Sequence, residues 1–128
     1  MNLRSHVSGT AAVLELSGRF DSYVAPRAAE WLERATTATP ANIVVNLADV
    51  NFVDSTALAT LVQGLNRARK RNGELFLCGL QKQVYMIFEL TRLDKAFHIF
   101  VDEDHALQAF IGAAGDASGA AARDSRGR

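Results

Sequence analysis

Two continuous apolar runs, "IVVNL" (Ile43 to Leu47) and "LFLCG" (Leu75 to Gly79), flank an amphipathic stretch, and this arrangement limits the fold more than any other feature of the chain. A strand without polar alternation must be covered on both faces, as in a largely parallel sheet. Parallel neighbours need a crossover long enough to hold a helix. The text between the runs supplies it, because Leu58, Leu61, Val62, Leu65 and Ala68 fall on one helical face. The same period recurs elsewhere. Val24, Ala28, Leu32 and Ala35 share a face with Trp31 beside it, and Val84, Ile87 and Phe88 mark a third helix. Ala106, Leu107, Phe110 and Ile111 form a short fourth behind the acidic Asp102 to Asp104, which suit a helix N-terminus. "FHIFV" (Phe97 to Val101) is a further strand candidate. Near the start, "AAVLELSG" alternates at Val13, Leu14 and Leu16, and Ser8-Gly9-Thr10 can turn the chain, so residues 2 to 7 and 11 to 17 are expected to pair as a hairpin. The predicted fold class is α/β: a single small domain with a mixed, mostly parallel sheet of about five strands, about four helices and right-handed crossovers.

A chain of 128 residues can bury enough surface to fold as one domain without disulfides or metals. That domain is expected over residues 1–112. From Gly112 the text "GAAGDASGAAARDSRGR" holds no large apolar side chain, so residues 113–128 are expected to form a flexible tail. Fourteen basic residues balance fourteen acidic ones, and no net field draws the chain toward nucleic acid or anionic lipid. The lone Cys78 lies in an apolar run and reads as a small buried hydrophobe in a reducing compartment. No apolar stretch approaches the roughly 18 residues of a membrane span, and "MNLRSHV" lacks the apolar core of a signal peptide. The cytoplasm is the expected location, and no cofactor is implied.

The stretch "NFVDSTALATL" (Asn51 to Leu61) carries the most chemistry. The loop "ADVNFV" is read as leading from the strand at Leu47 to Asp54, an N-cap candidate, with Ser55 and Thr56 in the first helical turn. There backbone N–H groups lack intrahelical partners and the macrodipole is positive. A nucleophilic serine needs a base and an elbow, but V-D-S-T-A is not G-x-S-x-G, and His6, His98 and His105 are scattered. A phosphate-binding loop needs glycines and a lysine that are missing, and one Cys with three isolated His residues shows no metal-ligand spacing, so no metal site is expected. Two readings remain open: plain helix capping, which accounts for Asp54 better than for the hydroxyls, and acceptance of a phosphoryl group. A phosphate on Ser55 would bring about −1.5 to −2 charges to a helix N-terminus able to hold it.

Three segments together resemble the STAS family, and within it the bacterial anti-sigma factor antagonists. They are "LELSGRFDSYVAPRAAEWL", "IVVNLADVNFVDSTALATLVQGLNRARKRNGELFLCGL" and "FELTRLDKAFHIFVDEDHALQAF". The resemblance implies a non-enzymatic switch that binds an anti-sigma factor serine kinase when unphosphorylated and is released by phosphorylation. It places Ser55 on the phosphorylated position and Asp21 on the acidic position of a Gly-x-x-Asp segment close to that serine. The implied partner surface is therefore Asp21, Asp54, Ser55 and Thr56, on a monomer or weak dimer. Three residues depart from the family pattern: Ala57 stands where Gly is usual after the second hydroxyl, Asn46 where an acid often ends the central strand, and Arg19 where an acid is common. Arg19 could help to hold a phosphate. The alternative within the family is a constitutive adaptor on a lipid-transport ATPase or signalling scaffold.

Elsewhere, Arg67, Lys70 and Arg71 approach a helix end closed by Asn72-Gly73, where cations complement the dipole. Trp31 is expected to pack against the sheet, while Tyr85, Met86 and Phe88 cannot all face the core.

Overall fold

A computed structural model describes residues 2–115, with side chains as far as Ile111. The elements run β1 (Asn2–Ser8), β2 (Ala11–Phe20), α1 (Ala25–Ala35), β3 (Asn42–Val53), α2 (Ser55–Lys70), β4 (Glu74–Cys78), α3 (Lys82–Leu90), a 3-10 turn (Leu93–Lys95), β5 (His98–Phe100) and α4 (Glu103–Gly115). The strands form one five-stranded sheet in sequence order. β1 and β2 make the expected antiparallel hairpin, and every later pairing is parallel. The small α/β domain is thus as predicted. Of the proposed tail, residues 116–128 lie outside the described residues; α4 extends to Gly115.

Alternate residues of the central strands serve opposite cores. Leu14, Leu16, Ile43, Val45, Leu75 and Leu77 meet α1, α2 and α3 through Leu32, Leu61, Leu65 and Phe88. Ala11, Val13, Val44, Phe76 and Cys78 meet α4 through Ala106 and Phe110. This double coverage explains the unbroken apolar runs in the sequence. Each fully buried Leu or Phe contributes roughly 1.5–3 kcal/mol. Trp31 is half-buried against the larger core as expected, and Phe88 enters it while Met86 stays exposed.

The loop read into "ADVNFV" is strand. β3 continues to Val53, because β2 keeps pairing with it through two register shifts, between Glu15 and Ser17 and between Gly18 and Arg19. At each shift β3 spends one residue more than β2, as in β-bulges. Leu47, Val50 and Val53 therefore all turn inward at a spacing of three, which no two-residue alternation reveals. Gly18 takes the positive φ of 93° beside one shift, a conformation that costs glycine least.

The stop after α2 acts as read. Asn72 adopts the left-handed conformation at φ 61°, and Gly73 N–H donates to the Ala68 carbonyl at 2.9 Å. A Cβ at position 73 would lie 2.0 Å from the Ala41 carbonyl oxygen, so only glycine fits. Arg67 reaches Glu33 of α1 and Arg69 reaches Glu74 of β4, so these two cations hold elements together on the surface.

Candidate functional site

The C-terminal ends of β2 and β3 lie side by side, with Phe20 opposite Val53, so the segments that follow them emerge together. In open α/β sheets this edge is where ligands and partners are usually met. After β3, Asp54 takes an extended conformation and caps α2, its Oδ1 accepting the Ala57 N–H at 2.9 Å. Its other oxygen, Oδ2, accepts the Ser22 N–H at 2.9 Å. One carboxylate thus closes a helix and ties it to the β2–α1 loop. Both of its oxygens are committed.

Asp21 organises that loop from the other side. Its carbonyl accepts from Val24 and Ala25 at the start of α1, and its Oδ1 accepts the Tyr23 N–H at 3.0 Å. Its Oδ2 lies 3.6 Å from Arg19 Nε, and the Arg19 guanidinium lies 3.9 Å above the centre of the Phe52 ring. Opposite charge and a ring face both draw a cation. Arg19, one of the three residues that depart from the pattern the sequence resembles, is therefore held between an acid and an aromatic ring.

Ser55 and Thr56 are exposed in the first turn of α2. The Ala57 and Leu58 N–H groups are satisfied by Asp54, so Ser55 and Thr56 supply the remaining first-turn donors. No acidic side chain occupies that turn. The fold brings Asp21, Asp54, Ser55 and Thr56 to one edge, and the Ser22–Asp54 hydrogen bond joins their two segments. Two aromatic residues not singled out in the sequence flank them: Tyr23, 90% exposed, and Phe52, 37% exposed. From sequence alone Phe52 falls in the loop "ADVNFV". Only the bulged strand shows that it faces outward beside Arg19.

Nothing at this edge resembles a catalytic centre among the described residues. His6 contacts Glu15 and Glu103, His105 contacts Asp102, and His98 meets Phe76 edge to face at 5.6 Å. None of them takes part in the Asp54, Ser22 and Asp21 contacts that could orient a base toward Ser55. A surface cleft runs along β5, lined by Arg69, Tyr85, Asp94 and His98, and includes none of the site residues. Burial, followed by the negative field of Glu103, Asp102 and Glu15, pushes the Cys78 thiol up to about 12, so it stays protonated and inert. No helix among the described residues is long and apolar enough to cross a membrane.

Comparison with known proteins agrees with this geometry. A family model described as the STAS domain matches residues 2–106. The anti-sigma-B factor antagonist of Listeria monocytogenes is 32% identical over 84 residues, covering 66% of this chain and 74% of its own. Its counterpart in Staphylococcus aureus is 26% identical over 99 residues, covering 77% and 92%. Among solved structures, the anti-sigma factor antagonist SpoIIAA in its unphosphorylated form superposes with a TM-score of 0.77 at 17% identity, over 87% of this chain and 97% of that one. A phosphorylated form of SpoIIAA, described as a Bacillus cell fate determinant, superposes at 0.67 and 15% identity, over 84% and 97%. At such identities the structural likeness speaks for the fold alone.

Proposed function

The chain belongs to the STAS domain family, and from that premise we propose that it is an anti-sigma factor antagonist whose docking edge is switched off by phosphorylation of Ser55. Unphosphorylated, it binds an anti-sigma factor serine kinase in the cytoplasm and so frees the sigma factor for transcription. It acts by binding and does no chemistry of its own. The names of its relatives support the class of function. The observation that carries the switch is the exposed Ser55 at the first position of α2, beside a cap whose two oxygens are already occupied.

The partner surface comprises Asp21, Asp54, Ser55 and Thr56, with Tyr23 and Phe52 as exposed aromatic anchors of the kind enriched at interface centres. Asp54 acts mainly by fixing the two segments relative to each other. A phosphate on Ser55 would meet the free N–H groups of the helix start, so the fold tolerates it. It would also bring about −1.5 to −2 charges into the contact. Like charges across an interface cost several kcal/mol, and each ~1.4 kcal/mol is tenfold in affinity, so release by two orders of magnitude or more is within reach.

Incubation of the wild type, Ser55→Ala and Thr56→Ala with the cognate kinase and ATP, read by intact mass, tests the assignment. One added phosphate on the wild type and on Thr56→Ala, and none on Ser55→Ala, is the expected result. Undiminished phosphorylation of Ser55→Ala removes Ser55 from the role.

A further inference from the structure

On the face of the sheet covered by α4, three side chains from three elements converge. His6 of β1, Glu15 of β2 and Glu103 of α4 each offer one ligand atom within 4.8 Å of those of the other two. His6 Nε2 lies 3.1 Å from Glu103 Oε2, and His6 Nδ1 lies 3.7 Å from Glu15 Oε2. The convergence follows from the register: His6 sits opposite Val13, two residues from Glu15, and Glu15 sits opposite Asn46 of β3. The return of α4 brings Glu103 over the same row.

Each carboxylate is held by a neighbour through its other oxygen. Asn46 Nδ2 donates to Glu103 Oε1 at 3.0 Å, and Arg4 Nη2 donates to Glu15 Oε1 at 3.2 Å. Both Oε2 atoms are thereby left facing the imidazole. Outer partners of this kind orient metal ligands and are characteristic of built sites. We propose that His6, Glu15 and Glu103 bind one divalent transition-metal ion of the zinc class, pinning the start of α4 to the β1–β2 hairpin.

The donor set decides the class of ion. One imidazole nitrogen with two carboxylate oxygens suits zinc, cobalt or nickel, whereas magnesium and calcium take oxygen ligands throughout. Zinc binds such ligands at about 2.0–2.2 Å, so tetrahedral donors stand roughly 3.3–3.5 Å apart. An ion takes one imidazole nitrogen; the 3.1 Å from His6 Nε2 to Glu103 Oε2 is close to that spacing, and the three ligand atoms all lie within 4.8 Å of one another, so Glu15 closes the site by a small side-chain rotation. The side chains of His6, Glu15 and Glu103 are 44%, 32% and 23% exposed, which leaves room for an ion to enter and for water to complete its shell. The site shares no residue with the Ser55 edge, so the fate of either assignment leaves the other standing.

Untagged full-length protein titrated with zinc chloride by calorimetry, with cobalt absorption as a second probe and magnesium as control, provides the test. The expected result is one zinc ion per chain, a raised melting temperature and no response to magnesium. His6→Gln and Glu103→Gln should each weaken binding at least about tenfold, since loss of even an outer partner of a metal ligand costs about 10–100-fold. Should one variant fail to fold by circular dichroism, the other carries the test. His105→Gln controls for the exposed Asp102–His105 pair and should bind as the wild type does. Absence of a saturable one-to-one isotherm overturns the proposal. So does binding that survives both site substitutions or disappears in His105→Gln.

Discussion

The N-termini of α2 and α4 both follow parallel strands of the same mixed sheet, β3 and β5, yet they treat negative charge in opposite ways. The first turn of α4 is filled by its own anions. Asp102 Oδ1 accepts the His105 N–H at 2.9 Å and lies 2.6 Å from His105 Nδ1, and Glu103 and Asp104 follow in the first turn. The first turn of α2 holds no acid and presents Ser55 and Thr56 instead, while its cap, Asp54, is drawn sideways by Ser22. Helix N-termini attract anions through their free N–H groups and dipole. At α4 that demand is met within the chain. At α2 Asp54 meets it only in part, for the Ala57 and Leu58 N–H groups.

The two caps differ in what they hold: Asp54 joins two segments, whereas the bonds of Asp102 stay within α4 and the residue before it. Asp54→Ala removes a helix cap and the link to the β2–α1 loop together, and should cost about 2–3 kcal/mol in a denaturant titration. It should also weaken partner binding, because Asp21 and Ser55 lose their common tether. Asp102→Ala removes a cap local to α4 and should cost clearly less. Equal losses would mean that the Ser22 hydrogen bond contributes nothing and would break the comparison.

A smaller effect sharpens it. The Asp102 carboxyl is held below the ordinary carboxylate range, first by the backbone N–H of His105 and then by the His105 side chain. A depressed folded-state pKa contributes stability that is present above the unfolded value and lost as pH falls through the folded one. The melting-temperature difference between the wild type and Asp102→Asn should therefore shrink as the pH falls below about 4. A difference that grows below that pH would contradict the assignment.

Much of the fold was legible because its signals are local. Unbroken runs at Ile43 and Leu75 marked strands covered on both faces, and the Asp102 to Asp104 acids marked the start of α4. The extension of β3 to Val53 was not legible, since it depends on bulges formed with β2 and sets a spacing of three at Leu47, Val50 and Val53. The site shows the same division. Asp54 as cap and the first-turn position of Ser55 and Thr56 follow from neighbouring residues, whereas the position of Asp21 came from family resemblance. The Ser22–Asp54 bond spans 32 residues and the His6–Glu103 contact spans 97. No spacing rule reports such contacts, which is why the histidines looked isolated along the chain while the fold gathers one of them with two carboxylates.

The central claim is that a phosphate seated on Ser55 leaves the fold intact and ends partner binding. Its most direct measurement is the affinity of the cognate anti-sigma factor for the unmodified chain and for the chain carrying phosphoserine at position 55, titrated side by side at one ionic strength. The predicted result is an unchanged circular dichroism spectrum and binding weakened at least about tenfold by the phosphate. Equal affinities for the two forms would contradict the account.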